Sequence, residues 1–280
     1  MIKLGIFGDQ TTNQQLLVQL KMLPEVEIAG SYFSGNVEMA DGPVVFSSPA
    51  GLMDASDAIL VLSDKSISND LVKLILRKSK PVYLKSVPNL HIREIRELVD
   101  LEKEAGIVTA IYNPFTYNPY FNPFINKYEK PFLINLRTCF DSGVMKPSLE
   151  LLLLVAALNR LAQSNCKKLD VFGIRNISDQ LIINVRLEYE NGCVANFTLA
   201  QENKAGFCEI FHQSGVVGFE IENALYTPYL QADQEIEDIR NFIRLIEVRD
   251  KKNNSFDGLM QSVQIVHEIR EHLRFNEIVF

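Results

Sequence analysis

Apolar positions in the first 111 residues fall into short continuous runs, separated by stretches in which they recur every three or four residues. Continuous short runs mark strands buried on both faces, and the longer period is that of helices packed on them. IKLGIF opens the chain as a first strand; Leu16, Leu17, Leu20 and Leu23 then share one helical face, which Pro24 ends. VEIAGSYF reads as a second strand, VVF as a short third and residues 57–62 as a fourth. Residues 69–78 predict a helix, PVYLKS a strand, 90–105 a long helix closed by Gly106, and IVTAIY the last strand of this half. Strand and helix in alternation imply a parallel sheet with crossover helices. Such sheets bind ligands beyond the carboxyl ends of their strands, where residues 8–13, 63–66 and 85–88 would meet.

The pattern changes after Tyr112. NPFTYNPYFNPF carries three Asn-Pro pairs and is too broken for a helix or a central strand, so it reads as a junction. Beyond it come a strand, PFLINLR, and a helix over 148–162 whose apolar residues surround the axis and predict burial on nearly all sides. A run of period-two strands follows: KLDVFGIR, LIINVRLEYE, CVANFTLAQ, CEIFHQ, VVGFEI and ALYTPY, with hairpin signals at Asn191-Gly192 and Ser214-Gly215. Helices over 233–248 and 256–275 finish the chain. The expected fold is α/β, with a parallel-sheet domain over 1–112 and an α+β domain with a mainly antiparallel sheet over 113–280.

The 280 residues, 47% hydrophobic and 22% charged, describe a soluble chain with a substantial core. A net charge of -7 argues against nucleic acid or an anionic membrane as partner, because phosphate binding needs concentrated Lys and Arg. The start lacks the composition of a signal peptide, and the apolar stretch from Leu149 falls short of a membrane span, so a cytoplasmic location is expected. Cys139, Cys166, Cys193 and Cys208 form no CxxC pair and read as buried thiols. No metal-ligand spacing and no GxSxG nucleophile elbow occurs.

GIFGDQTTN sits where a strand-to-helix turn would cradle a pyrophosphate. Gly8 holds the first glycine position of GxGxxG, but Gln10 and Asn13 fill the other two. Gln10 puts a side chain where the backbone must approach a phosphate, and Asp9 adds a competing negative charge. The stretches IKLGIFG, LPEVEIAGSYF, DAILVLSD, KPVYLKSVP, LVDLEKEAGIVTAIYNPF and FDGLMQSVQIVHEI, in that order, resemble the glucose-fructose oxidoreductase, inositol dehydrogenase and rhizopine-catabolism superfamily (Gfo/Idh/MocA) over almost the whole chain. The resemblance implies a Rossmann domain, NAD or NADP as cofactor, a sugar or polyol-like substrate and homo-oligomers formed through the C-terminal sheet. It also implies cofactor contacts from Gly8, Asp9, Gln10, Ser63, Asp64 and Lys85, and substrate contacts from Asn113, Tyr117 and Asn118.

Against that family pattern, Phe33-Ser34-Gly35 ends the second strand without a ribose-binding carboxylate. Glu-Lys-Pro becomes Leu84-Lys85-Ser86, and Ser148 and Leu152 fall near the Asp and His of the buried helix. No histidine lies between His91 and His212. Lys85 is therefore the inherited acid or base, or else a lysine at a strand end paired with a carboxylate. Ser63 and Asp64 are equally at home as turn or capping residues, and Asn113, Tyr117 and Asn118 as junction residues. His212 reads as a sheet-face residue, and His267 and His272 as part of a solvated helical face. Two functions stay open: an NAD(P)-dependent oxidoreductase, or a catalytically inactive relative with a binding, regulatory or structural role. For the structural role, alternating apolar residues on the outer face of LIINVRLEYE and CVANFTLAQ would form the contact surface.

Overall fold

The strands are β1 (Ile2–Gly8), β2 (Val26–Tyr32), β3 (Ala58–Leu62), β4 (Val82–Leu84), β5 (Thr109–Ile111), β6 (Pro131–Cys139), β7 (Cys166–Arg175), β8 (Leu181–Tyr189), β9 (Val194–Ala200), β10 (Gly206–His212) and β11 (Gly215–Ile221). The helices are α1 (Gln14–Lys21), α2 (Pro49–Ala55), α3 (Asn69–Arg77), α4 (Ile92–Ala105), α5 (Pro147–Ala162), α6 (Pro228–Glu247) and α7 (Ser255–Phe275). This computed structural model describes residues 1–8, 14–32, 44–63, 67–88, 91–115, 130–139, 147–175, 180–200, 206–221, 228–248 and 255–275. By contacts the chain divides into two units, Met1–Tyr112 with Tyr229–Met260, and Asn113–Pro228 with Gln261–Phe280.

In the first unit, five parallel strands lie in the order β2-β1-β3-β4-β5. The expected third strand, VVF, shrinks to one parallel bridge between Val45 and Ser31. Its brevity has a local cause: Ser48 already caps α2, its hydroxyl accepting from the Gly51 N–H at 3.1 Å, and Pro49 occupies the first turn. That cap was readable in the sequence, yet α2 is absent from the elements predicted above. Counting the bridge, the order is 3-2-1-4-5-6, which puts the topological switch point between β1 and β3. β3 is buried at every position, as a central strand of a parallel sheet must be. Gly106 ends α4 in the left-handed conformation, φ 58°, that glycine enters at no steric cost.

One face of this sheet presents Leu4, Ile6, Ala58, Leu60, Leu62 and Tyr83 to two helices. Leu16, Leu17 and Leu20 come from α1; Ile236, Ile239, Phe242 and Ile243 come from α6, far away in sequence. Each such side chain contributes roughly 1.5–3 kcal/mol by burial, and together they account for the return of residues 229–260 to the first unit. The sequence pattern groups everything after residue 112 in one domain, whereas residues 229–260 belong by contacts to the first unit. Of ALYTPY, which the pattern reads as a strand, residues 224–227 lie outside the described residues and Pro228 and Tyr229 begin α6; proline suits a helix's first turn, where its missing N–H costs nothing.

The second unit is built on a six-stranded sheet ordered β11-β10-β6-β9-β8-β7. All neighbours are antiparallel except β6 and β9, which run parallel. Turns at Asn191-Gly192 and Ser214-Gly215 join β8 to β9 and β10 to β11, with Gly192 at φ 86°. Period-two burial decides the faces. Leu181, Ile183, Val185, Leu187 and Tyr189 of β8, and Ala195, Phe197 and Leu199 of β9, are all buried. The opposite face carries Asn184, Arg186, Asn196 and Thr198, so the apolar set of LIINVRLEYE and CVANFTLAQ points inward, not outward as expected. Each strand has one apolar set, and the core takes it. On the outer face Asn196 donates to Asn135 at 3.1 Å and Asn184 to Thr198 at 2.9 Å. Exposed apolar residues remain beside this ladder at Phe172 and Phe207.

Helix α5 is buried on nearly all sides, including Leu151 to Val155, Leu158 and Leu161. Its one mid-helix amide, Asn159, accepts from the Tyr189 hydroxyl at 3.0 Å and donates to Ser262 at 3.2 Å, so a polar chain crosses from β8 to α7. Burial pushes the Tyr189 phenol well up, which keeps it a donor. Among the described residues no helix is long and apolar enough to cross a membrane, and no cluster of His, Cys, Asp and Glu could hold a metal ion.

Candidate functional site

Parallel pairing brings the carboxyl ends of β1, β3 and β4 side by side. Gly8 pairs with Leu62 across β1 and β3, Ser63 follows directly, and the Lys85 N–H donates to the Val61 carbonyl at 2.9 Å. Gly8, Ser63 and Lys85 therefore share one sheet edge at the switch point. Asp9, Gln10 and Asp64 lie outside the described residues, as do Tyr117 and Asn118.

Gly8 has a reason to be glycine that involves no ligand. Its φ is +147°, and a Cβ there would overlap the Leu62 carbonyl, with that carbonyl's carbon only 2.8 Å away. The obstacle is backbone and cannot rotate away. The same geometry leaves the edge of β1 bare of side chain at the switch point, which suits a dinucleotide's pyrophosphate. Elsewhere the fit is poorer: β2 ends at Tyr32, whose ring lies obliquely to Phe7 with centroids 5.7 Å apart, and among the described residues no carboxylate stands at that end of the strand.

Lys85 is paired. Its Nζ lies 3.3 Å from Oε2 of Glu235 on α6, and the two side chains are 18% and 5% exposed. Tyr83, two residues earlier on the same side of β4, meets Phe242 of the same helix with ring centroids 5.9 Å apart. Glu235, Ile239 and Phe242 are spaced for one helix face, so α6 presses on β4 through an apolar contact and an ion pair. Removing one member of so buried a pair strands the other's charge, at a cost of about 3–5 kcal/mol. The carboxylate partner that the sequence allows Lys85 is Glu235. The signal was present: Glu235 and Asp238 interrupt the apolar stripe of α6, and both are buried.

Asn113 is committed within the second unit. Its side-chain amide donates to the Leu153 carbonyl at 2.8 Å, while its oxygen accepts from the Phe115 N–H at 3.0 Å. On α5, Leu152 is buried where the family resemblance puts a histidine, and the buried acid of the helix is Glu150. His212 lies on β10 and is half-buried. His272 lines a groove of about 470 Å³ in the second unit, with Glu268 and Gln264 of α7 and Cys166 to Lys168 of β7. Three cysteines are buried as expected, but Cys166 at this edge strand is half-buried. Burial pushes its thiol up, and it donates to the Lys168 carbonyl at 3.3 Å.

No family model matches the sequence. No curated protein matches it either. Solved structures do match in fold. A dehydrogenase from Chromobacterium violaceum superposes with a TM-score of 0.77 at 15% identity, covering 99% of this chain and 96% of its own. UDP-N-acetylglucosamine 3-dehydrogenase GnnA from Acidithiobacillus ferrooxidans gives 0.73 at 14% identity, covering 96% and 97%. GenD2 from gentamicin A biosynthesis, solved in complex with NAD, gives 0.70 at 12% identity, covering 95% and 92%. The chain shares the fold of these solved structures.

Proposed function

We propose that the protein is an NAD(P)-dependent oxidoreductase of the Gfo/Idh/MocA type acting on a sugar or polyol-like small molecule in the cytoplasm. One observation carries the reading: Gly8, Ser63 and Lys85 meet at the carboxyl edge of a 3-2-1-4-5-6 parallel sheet, at its switch point. A bound nicotinamide would supply or accept the hydride. Gly8 with Asp9 and Gln10 would hold the pyrophosphate side of the dinucleotide, Ser63 and Asp64 its nicotinamide side, and Lys85 would touch both cofactor and substrate. Asn113, Tyr117 and Asn118 are the proposed substrate contacts.

Titration with NADH and NADPH, followed by nicotinamide fluorescence, tests this. Saturable binding below millimolar concentration is expected, and no binding of either at that concentration removes the reading. The apolar character of α5 around Leu152 favours a second reading, a cofactor-holding protein without turnover. Tight binding with no reaction on a panel of sugars and polyols would select it. We further propose a homo-oligomer paired through the outer face of the six-stranded sheet, where Phe172 and Phe207 lie exposed beside the Asn-Thr ladder. A monomer in sedimentation velocity at micromolar concentration would remove that part.

A further inference from the structure

A groove of about 470 Å³ opens in the second unit between the start of β7 and one face of α7. β7 is the end strand of its sheet, and its pairing with β8 slips between Cys166 and Lys168, so Lys167 is the extra residue of a bulge. A regular strand turns alternate residues to opposite faces, yet Cys166, Lys167, Lys168 and Leu169 all line the groove. The bulge accounts for this, since it breaks the alternation at Lys167. On the other wall, Gln261, Gln264 and Glu268 recur at helical spacing around Ile265, which is 8% exposed. Lys168 commits its ammonium to Asp170 at 3.0 Å. The side chains of Lys167, Gln261, Gln264 and Glu268, by contrast, make no hydrogen bond or ion pair among the described residues. Burial raises the Cys166 thiol and the Glu268 charge adds to it, so that carboxylate lies within electrostatic reach of the opposite wall.

We propose that the groove is a binding site for a small zwitterion with an apolar body, of amino-acid or dipeptide size, its carboxylate received by Lys167, its ammonium by Glu268 and its side chains laid on Ile265 and Leu169. A bare anion would meet the Glu268 charge and a bare cation the Lys167 charge, so the two poles together select a ligand that carries both. The two glutamines supply donors and acceptors for the ligand's remaining polar atoms. The volume agrees, since pockets for small molecules run from roughly 300 to 1,000 Å³. The site involves no residue of the parallel-sheet edge and does not depend on the oxidoreductase reading.

Isothermal titration calorimetry of the full chain with leucine and with leucyl-leucine tests the site. At least one should bind saturably in the millimolar range or tighter, and blocking its amine by acetylation or its carboxylate by amidation should weaken binding by about fivefold or more. Lys167→Ala should no longer distinguish the zwitterion from its amide, and Glu268→Gln should no longer distinguish it from the acetylated form. A second readout needs no variant: alkylation of Cys166 by iodoacetamide should slow at saturating ligand, because that thiol lines the same groove. Binding of neither probe overturns the proposal. So do binding that leaves Cys166 unprotected, binding indifferent to either blocking group, and unchanged discrimination in either folded variant.

Discussion

Thr109 of β5 donates its hydroxyl to the carboxylate of Glu102 on α4, and each residue is only 1% exposed. Burial pushes the Glu102 carboxyl up; hydrogen bonds from Thr109 and from the Phe256 and Asp257 backbone oppose the shift, and the Asp257 charge adds to it. A carboxyl group that holds its proton more tightly in the folded chain favours folding once protonated. Its contribution is full below the ordinary carboxyl range and is lost as pH rises through the raised folded value. Glu102→Gln should therefore be more stable than the wild type at neutral pH, with the gap closing as pH falls. Thr109→Val should lose about 1–3 kcal/mol, because a buried acceptor is left short of a donor. Urea midpoints across the pH range read both effects.

Gly8→Ala should destabilise the chain by about 3 kcal/mol with no dinucleotide present, since the strain is against the Leu62 backbone. Chemical denaturation of the ligand-free protein measures it. A loss under about half a kcal/mol would mean that the strand ends part easily, and that glycine is needed there only for a ligand.

Asn113→Ala should cost about 2 kcal/mol, through the buried Phe115 N–H and Leu153 carbonyl that its amide serves. Thermal unfolding gives the stability term, and substrate affinity measured on the same variant separates it from any binding role. Asn113→Asp keeps the acceptor to Phe115 but sets a buried carboxylate oxygen against the Leu153 carbonyl, so it should be no more stable than Asn113→Ala at neutral pH and should recover as pH falls.

Thiol labelling should follow burial. Cys208 is pushed up to about 12 by burial, with the Glu209 charge adding, and Cys193 to about 11 by burial alone. Neither should react with iodoacetamide at neutral pH until the chain unfolds, because the thiolate is the nucleophile. Cys166, half-buried on an edge strand, should label first. Peptide mass spectrometry over time gives the order.

Local pattern carried most of the architecture. Residues 58–62, the C-cap at Gly106, the two hairpins and the apolar girth of α5 were all legible, because each is decided by neighbours within a few residues. VVF was misjudged in extent because a helix cap two residues later competes for the same backbone. The inward direction of the apolar face of β8 and β9 was legible too, since Asn184, Arg186, Asn196 and Thr198 make the opposite set polar and the core takes the apolar one. The partners of Lys85 and Asn113 were hidden. Glu235 lies 150 positions from Lys85, and the Leu153 carbonyl has no side-chain signature at all. Buried acids in otherwise apolar stripes, such as Glu102, Glu150 and Glu235, were the overlooked signal, because a helix spends a carboxylate on its inner face only when something there receives it.

Helix α6 gives this fold a schedule. A ribosome that has released the first 112 residues has made every strand of the parallel sheet but not the helix that covers Leu4, Leu60 and Tyr83. Until more than a hundred further residues emerge, α1 is the one helix of that cluster available to cover the face, and Lys85 has no counter-charge from Glu235. The nascent chain therefore cannot finish its first unit before most of the second has been translated, and Glu235 reaches Lys85 only after residues 113–228 have been made.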